Sequence, residues 1–143
     1  MILHILNGDC ALDGWYSAGF SGEVLVWREN YLTGIIPETA DLTAFNRIRA
    51  EELHKTAPEK TPDEIFEELQ HMHEKLFSLC SKDKLVLWLD FCPFDQVLLK
   101  RLLELVSGMP DTPEIFSVQQ DVVWNKEAFV LYRNWQEYRY TAI

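Results

Sequence analysis

The chain has 143 residues, of which 48% are hydrophobic, and a formal net charge of -10. This length is typical of one domain with its own core, so we expect a single α/β domain over residues 1–143 and no global disorder. The excess of carboxylates, without any run of Lys or Arg, argues against nucleic acid and against anionic membrane surfaces as partners.

The first part of the chain predicts a strand–helix–strand unit, which is typical of parallel sheets. Ile2–Leu6 is a short apolar run that ends at the polar segment Asn7–Asp9, as expected of a buried strand followed by a turn. A helix is predicted from the end of that segment to Ala18, because Asp is favoured at helix N-caps. Glu23–Trp27 is β-branched and aromatic and predicts a second strand.

The middle of the chain predicts two helices with apolar residues at helical spacing. The first covers Asp41–Lys55. The second begins at Thr61-Pro62, which supplies an N-cap and a proline at the first helical position, and extends to Cys80. The loop between them is too short to be a domain linker.

The last part of the chain predicts two more strands around a helix. Lys84–Leu89 is continuously apolar, as expected of a central parallel strand, and a leucine-rich helix extends to Val106 before a fourth strand at Glu114–Val118. Val122–Trp124 and Ala128–Tyr132 fit a C-terminal hairpin. The chain therefore predicts a three-layer α/β sandwich with a mostly parallel sheet of roughly four or five strands.

Cysteine usage indicates a reducing compartment. Cys10, Cys80 and Cys92 are odd in number and form no C-x-x-C pair, so we expect free thiols. The apolar start of the chain lacks the basic leader and long core of a signal peptide, and no segment is long enough to cross a bilayer. We expect a cytoplasmic protein.

Polar and aromatic residues gather where the predicted strands end. In open α/β sheets, ligands bind outside the carboxyl ends of parallel strands, so we expect these residues to share one edge. The candidate ligand-binding residues are Asn7, Gly8, Asp9, Trp27, Arg28, Glu29, Trp88, Asp95 and Gln96.

Each candidate also has a structural explanation. Asp9 and Asp95 fit the first turn of a helix, as a cap or as partners of the helix dipole. The Arg-Glu pair at 28–29 fits a surface ion pair. Trp27 and Trp88 fit core packing, and stacking on a planar ligand is the alternative.

The histidines and thiols predict no metal site. His71 and His73 are two helical steps apart and therefore lie on nearly opposite faces. His4 lies in a core strand, where a buried, hydrogen-bonded ring is expected. Cys92 lies beside a helix N-terminus that would lower its pKa, which makes it the one candidate nucleophile.

Three segments carry a family resemblance. H-I-L-N-G-D (4–9), G-E-V-L-V-W-R-E (22–29) and L-V-L-W-L-D-F-C-P-F-D-Q (85–96) resemble an uncharacterised bacterial family, domain of unknown function 1835. The R-A element at 49–50 also resembles that family and adds Arg49 to the candidate site residues. Where the family tends to have Glu-His-Asp after the third strand, this chain has Asp-Phe-Cys at 90–92. The resemblance implies a bacterial cytoplasmic protein without assigning an activity or a cofactor.

Three function classes stay open. The first is a domain that binds an anionic or nucleotide-like small molecule, with Arg28 or Arg49 pairing with an anionic group and Asp95 and Gln96 forming hydrogen bonds. The second is a non-catalytic protein–protein interaction module. The third is a Mg-dependent hydrolase or phosphotransferase, for which carboxylates at the strand ends would supply the oxygen ligands.

Overall fold

The computed structural model describes residues 1–120, Phe129 and Thr141–Ala142. The hairpin expected near the C-terminus lies outside the described residues except for Phe129, whose backbone is helical rather than extended. The helices and strands, in chain order, are β1 Ile2–Leu6, α1 Leu12–Ala18, β2 Glu23–Val26, α2 Leu42–His54, α3 Pro62–Phe77, β3 Lys84–Asp90, α4 Pro93–Ser107, β4 Glu114–Gln120 and β5 Thr141–Ala142.

The starts of α2 and α3 and the end of α1 lie where the sequence predicts, because local residues satisfy these helix ends, whereas α1 begins only at Leu12 and α3 ends at Phe77 rather than Cys80. Asp41 accepts a hydrogen bond from the backbone N–H of Ala44 at 3.3 Å and thereby caps α2. The Thr61 hydroxyl does the same for the N–H of Glu64 at 3.1 Å at the start of α3. Gly19 ends α1 in the left-handed region, at φ 72°.

The sheet has the strand order β2-β1-β3-β4-β5, and the pairs among β1 to β4 are all parallel. β5 pairs with β4 in the antiparallel direction. The connection from β1 leads through α1 to β2, toward one edge of the sheet. The connection from β3 leads through α4 to β4, toward the other edge. Right-handed crossovers then place α1 and α4 on opposite faces, and the gap between β1 and β3 is the topological switch point. The predicted α/β class with its parallel central sheet is confirmed.

Contacts divide the chain into two compact units. The sheet unit consists of Met1–Trp27 and Leu79–Ile143, and the helical unit consists of Arg28–Ser78. The sheet unit contains all the strands that the structure describes together with α1 and α4, while the helical unit contains α2 and α3. The single domain expected over residues 1–143 stays a prediction.

The core of the sheet unit covers both faces of β3. Its residues Leu85–Leu89 are fully buried, as expected of a central parallel strand. One face packs against α1 in an aromatic-rich cluster. That cluster contains Leu6, Ala11, Trp15, Ala18, Val86, Trp88, Val118 and Phe129.

The helical unit is built on the packing of α2 against α3. The buried faces carry Phe45 and Ala50 on α2 and Ile65, Leu69 and Leu76 on α3. Among the residues that the structure describes, no helix combines the length and apolarity that a membrane span requires.

Candidate functional site

Two predicted site residues meet at the switch point between β1 and β3. The Asn7 side chain follows β1 and donates hydrogen bonds from Nδ2 to both carboxylate oxygens of Asp95, at 2.8 and 3.0 Å. Asp95 lies in the first turn of α4, which follows β3 directly. The bond joins residues 88 positions apart in the chain, so it depends on β1 and β3 being neighbours in the sheet.

The turn between β3 and α4 explains how Asp95 is held. Its carboxylate accepts a hydrogen bond from the backbone N–H of Asp90 at 2.7 Å. The Asp90 carboxylate accepts from the N–H of Cys92 at 2.7 Å, and Gln96 Nε2 donates to the Asp90 carbonyl at 2.8 Å. We call Asn7, Asp90, Cys92, Asp95 and Gln96 the Asp95 cluster.

Burial sets the electrostatics of this cluster. Asp95 has no exposed surface, and this burial raises the pKa of its carboxyl group, as does the neighbouring Asp90 carboxylate. The hydrogen bonds from the Asp90 backbone and from Asn7 act in the opposite direction because they favour the charged form. Asp90 itself is only partly buried, so one carboxylate of the cluster is accessible from solvent.

The expectation of an activated Cys92 thiol is wrong. Cys92 is the N-cap of α4, and its Sγ accepts a hydrogen bond from the N–H of Asp95 at 3.4 Å. Desolvation raises the pKa of the thiol, and the hydrogen bond to Asp90 and the charges of Asp90 and Asp95 raise it further. These effects outweigh the helix N-terminus, so the pKa of the thiol lies above its ordinary value rather than below it. All three cysteines are free, as expected.

The same turn brings three atoms that can ligate a metal close together. One oxygen of Asp90, one oxygen of Asp95 and Cys92 Sγ lie within 4.8 Å of one another. A mixed carboxylate and thiol set favours a transition metal over Mg²⁺, which prefers oxygen ligands throughout.

Two further candidates, Glu29 and Arg49, form a buried ion pair in the helical unit. Arg49 Nη2 lies 2.6 Å from Glu29 Oε1, and neither side chain has exposed surface. The other Arg49 donors reach Glu29 again and the carbonyls of Asn30, Thr33 and Ile35, at 2.8 to 3.2 Å. We call these five residues the Arg49 cluster.

This geometry gives Arg49 a structural role. A guanidinium has five N–H donors, and the Arg49 cluster uses all of them. A ligand anion would have to displace Glu29 or a backbone carbonyl to bind there. The surface ion pair considered for Arg28 and Glu29 is not formed, because Glu29 is buried against Arg49 instead. Arg28 is exposed, and its backbone N–H lies 3.2 Å from Met72 Sδ.

The two tryptophans at the strand ends belong to the core. Trp27 and Trp88 have no exposed surface, so their rings offer no face on which a ligand could stack. Trp88 Nε1 donates to His4 Nδ1 at 2.9 Å, and His4 Nε2 donates to the Ser21 carbonyl at 2.9 Å. Burial lowers the pKa of His4 to about 4, so the ring is neutral at physiological pH. The buried, hydrogen-bonded His4 expected from the sequence is confirmed.

Gly8 and Asp9 follow Asn7 after the carboxyl end of β1, at the same edge of the sheet as the Asp95 cluster. Gly8 is extended at φ -178°, and a Cβ built on it would meet no atom within 4 Å. Asp9 is exposed in a single 3₁₀ turn, Asp9–Ala11. Its side chain does not cap this turn or α1, because the cap positions are Gly8 and Ala11 and neither has a side-chain cap bond.

The sequence marked Cys92 as a candidate nucleophile and Asp90 as a carboxylate at a strand end, but it did not indicate that these two residues hold Asp95 in place. A signal was present in the spacing Cys92-Pro93-Phe94-Asp95, which repeats the N-cap, proline and acid order of residues 61–64. It was overlooked because Cys is not among the favoured capping residues.

Comparison of the chain with protein-family models, curated proteins and solved structures finds no match. The resemblance to domain of unknown function 1835 therefore stays an expectation.

Proposed function

We propose that the protein binds a small molecule at the carboxyl edge of the sheet, between the ends of β1 and β3. In this proposal, the carboxylates of Asp90 and Asp95 recognise a hydrogen-bond donor or a positive charge on the ligand. The observation that carries the proposal is the position of the Asp95 cluster at the topological switch point, where open α/β sheets bind their ligands.

The charges of the cluster favour one ligand chemistry. The charged groups of the Asp95 cluster are the carboxylates of Asp90 and Asp95, which accept hydrogen bonds and repel anions, while the amides of Asn7 and Gln96 already donate to Asp95 and to the Asp90 carbonyl. An amine, an amidine or the amino group of a nucleobase fits such acceptors, as carboxylates accept from the amino group of cytosine. The nucleotide-like ligand expected from the sequence thus remains a candidate through its base.

An anionic group on the ligand would need a cation from elsewhere. The arginines expected to supply it belong to the helical unit, and Arg49 already donates all its N–H groups within that unit. We therefore favour recognition of donors over recognition of a phosphate.

Gly8 supports an approach path for the ligand. The space in front of its Cα is open, and its backbone conformation is one that any residue adopts. A side chain introduced there would occupy the ligand's path without disturbing the fold.

The proposal is tested by a thermal-shift screen of nucleobases, nucleosides, amines and divalent metal salts, followed by NMR titration. Binding to the native state raises apparent stability, by about 2.7 kcal/mol at a ligand concentration of a hundred times Kd. The side-chain amide signals of Asn7 and Gln96 report directly on the Asp95 cluster. We expect a hit to shift both signals.

Matched variants separate this site from any other. Asp90→Asn removes a partly buried charge, and Gly8→Val blocks the open space, so both should weaken binding at least about tenfold. Asp13→Asn, on an exposed residue of α1, should bind as the wild type does. Equal affinities in all four proteins would place the ligand elsewhere and end the proposal, as would the absence of any hit at millimolar concentration.

A second candidate function, a protein–protein interaction module, rests on the loop after β2. Arg49 fixes the carbonyls of this loop, and Gly34 adopts φ 72° against Glu52. The loop nevertheless exposes Leu32, Ile35 and Ile36, at 54, 62 and 43%. Apolar side chains on a rigid loop are the kind of anchor that interfaces use.

Light scattering of the wild type and of Leu32→Ser/Ile35→Ser tests this second candidate. A wild-type oligomer that the variant converts to monomer would support it. A monomeric wild type would show that the exposed loop does not mediate self-association.

A bacterial cytoplasmic location is part of the proposal, and the free cysteines support it. Protein isolated without reductant should show three reactive thiols after unfolding.

A further inference from the structure

We propose that the sheet unit has a second ligand site, beneath the amino-terminal half of the face that α1 covers, which binds a small amphipathic carboxylate. This site is separate from the Asp95 cluster, which lies at the opposite ends of the strands.

The length of α1 explains why a cavity exists. α1 has seven residues and β3 has seven, so the helix spans about 10 Å and the strand about 23 Å. α1 packs over the carboxyl half of the sheet, against Leu6, Trp88 and Val118. α1 leaves the rows formed by Ile2 with Lys84 and by Val86 with Phe116 partly uncovered, although Val86 and Ile2 also pack against the margin of the α1 cluster.

A cavity of about 270 Å³ opens over those rows. Its described lining residues are Ile2, His4, Phe20, Ser21, Lys84, Val86 and Phe116. The lining is mainly aliphatic and aromatic, so the free energy of binding would come chiefly from burial of an apolar group. A cavity of about 150 Å³ is large enough to bind benzene, so this one suits an aromatic ring with a short chain.

Lys84 supplies the one charge among the described lining residues. Its Nζ lies 5.9 Å from the centroid of the Phe116 ring, which places the ammonium over the apolar lining. Among the described residues, Lys84 forms no ion pair within 4.0 Å. His4 contributes its ring and no charge, because Trp88 and Ser21 occupy both ring nitrogens.

The ammonium selects the head group of the ligand. A carboxylate on a short chain can pair with Lys84 at the mouth while the apolar part fills the cavity. A single negative charge fits better than a phosphate dianion, because Glu114 lies directly opposite Lys84 in the sheet register. Ser21 is exposed at the same mouth and offers a hydroxyl as a further donor.

NMR titration with 4-phenylbutyrate and with its uncharged counterpart, 4-phenylbutan-1-ol, separates the two parts of the proposal. We expect both to shift the signals of Val86 and Phe116, and the acid to bind about fivefold tighter through its ion pair. Lys84→Met should remove that difference and leave the alcohol's Kd unchanged. Ser21→Phe should block the mouth and weaken both probes, because this exposed side chain can be enlarged without disturbing the core.

Lys100→Met, on an exposed residue of α4 outside the cavity, is the matched control for lost charge and should behave as the wild type. The proposal is overturned if neither probe shifts Val86 at 10 mM (about the weakest useful affinity), or if acid and alcohol bind equally to the wild type. It is also overturned if Lys84→Met and Lys100→Met lose the same affinity for the acid, since the effect would then be one of net charge.

Discussion

The Arg49 cluster and the Asp95 cluster each contain polar residues that the sequence marks as candidate ligand binders, yet the clusters differ in how their polar atoms are used. In the Arg49 cluster, the ion pair has no exposed surface and all the guanidinium donors are bonded internally. In the Asp95 cluster, Asp90 is partly exposed, Cys92 is exposed, and the carboxylates retain lone pairs.

This difference teaches that a buried polar group is a weak indicator of function until its partners are counted. A fully satisfied network stabilises one conformation and leaves nothing for a ligand. A network that ends in an accessible acceptor can accept a further donor. The predictions below test that distinction, beginning with the largest expected effect.

Arg49→Met should lower the free energy of unfolding by about 3–5 kcal/mol, because it leaves the Glu29 carboxylate buried without its partner. Three loop carbonyls would also lose their donors. Urea unfolding monitored by circular dichroism measures the change. Arg47→Met is the matched control, since its pair with Asp63 is exposed and should contribute at most about 1 kcal/mol. Similar losses in the two variants would mean that the Arg49 cluster is not a structural unit.

His4 resembles the Arg49 cluster in that both of its ring nitrogens are hydrogen-bonded. The pH dependence of the free energy of unfolding tests whether this buried ring stays neutral. Its pKa is lowered from 6.5 to about 4 in the folded state, so the unfolded state binds the extra proton between these values. The contribution of His4 to stability is therefore fully present above pH 6.5 and is lost as the pH drops toward 4, by about 3 kcal/mol in total. When unfolding is measured across this range, the loss of stability toward pH 4 should be smaller in His4→Gln than in the wild type by about this amount. An equal loss in the two proteins would assign it to other groups.

Asp95→Asn should cost about 1–3 kcal/mol, because an NH2 group replaces one of the two carboxylate oxygens that accept from Asn7 and from the Asp90 N–H, which are donors themselves. Asp13→Asn, on an exposed residue, should cost no more than about 1 kcal/mol. The raised pKa of Asp95 adds a pH signature. The folded state binds the proton more tightly, so this carboxyl group favours folding more as the pH falls through its raised pKa. The asparagine variant should lack that contribution, and an unchanged profile would contradict the assignment.

Two glycines, each next to a member of one cluster, give the smallest expected difference in the free energy of unfolding. Gly34→Ala should cost about 1–2 kcal/mol, because the residue has φ 72° and its new Cβ would lie 2.8 Å from Glu52 Oε2. Gly8→Ala should change stability by less than about 1 kcal/mol, since its conformation suits any residue and the space is open. Equal costs would show that the space in front of Gly8 is not free in solution.

The local elements of this fold could be predicted from the sequence because their causes are local. Thr61-Pro62 predicts the start of α3, and the unbroken apolar run of β3 predicts a central strand. Asp9 was misjudged as a cap, since a 3₁₀ turn intervenes before α1. The edge on which polar residues gather was also predictable, because the carboxyl ends of parallel strands coincide.

What the sequence determined by itself was the set of helices and the four parallel strands, the caps of α2 and α3, and a list of unusual polar residues. Only the tertiary structure decided the partners of those residues. Asn7 meets Asp95 because β1 and β3 are adjacent, and Glu29 meets Arg49 because a loop folds back onto α2. The physical reason is that a polar side chain's role depends on its burial and on the groups that satisfy it, and both come from residues distant in the chain.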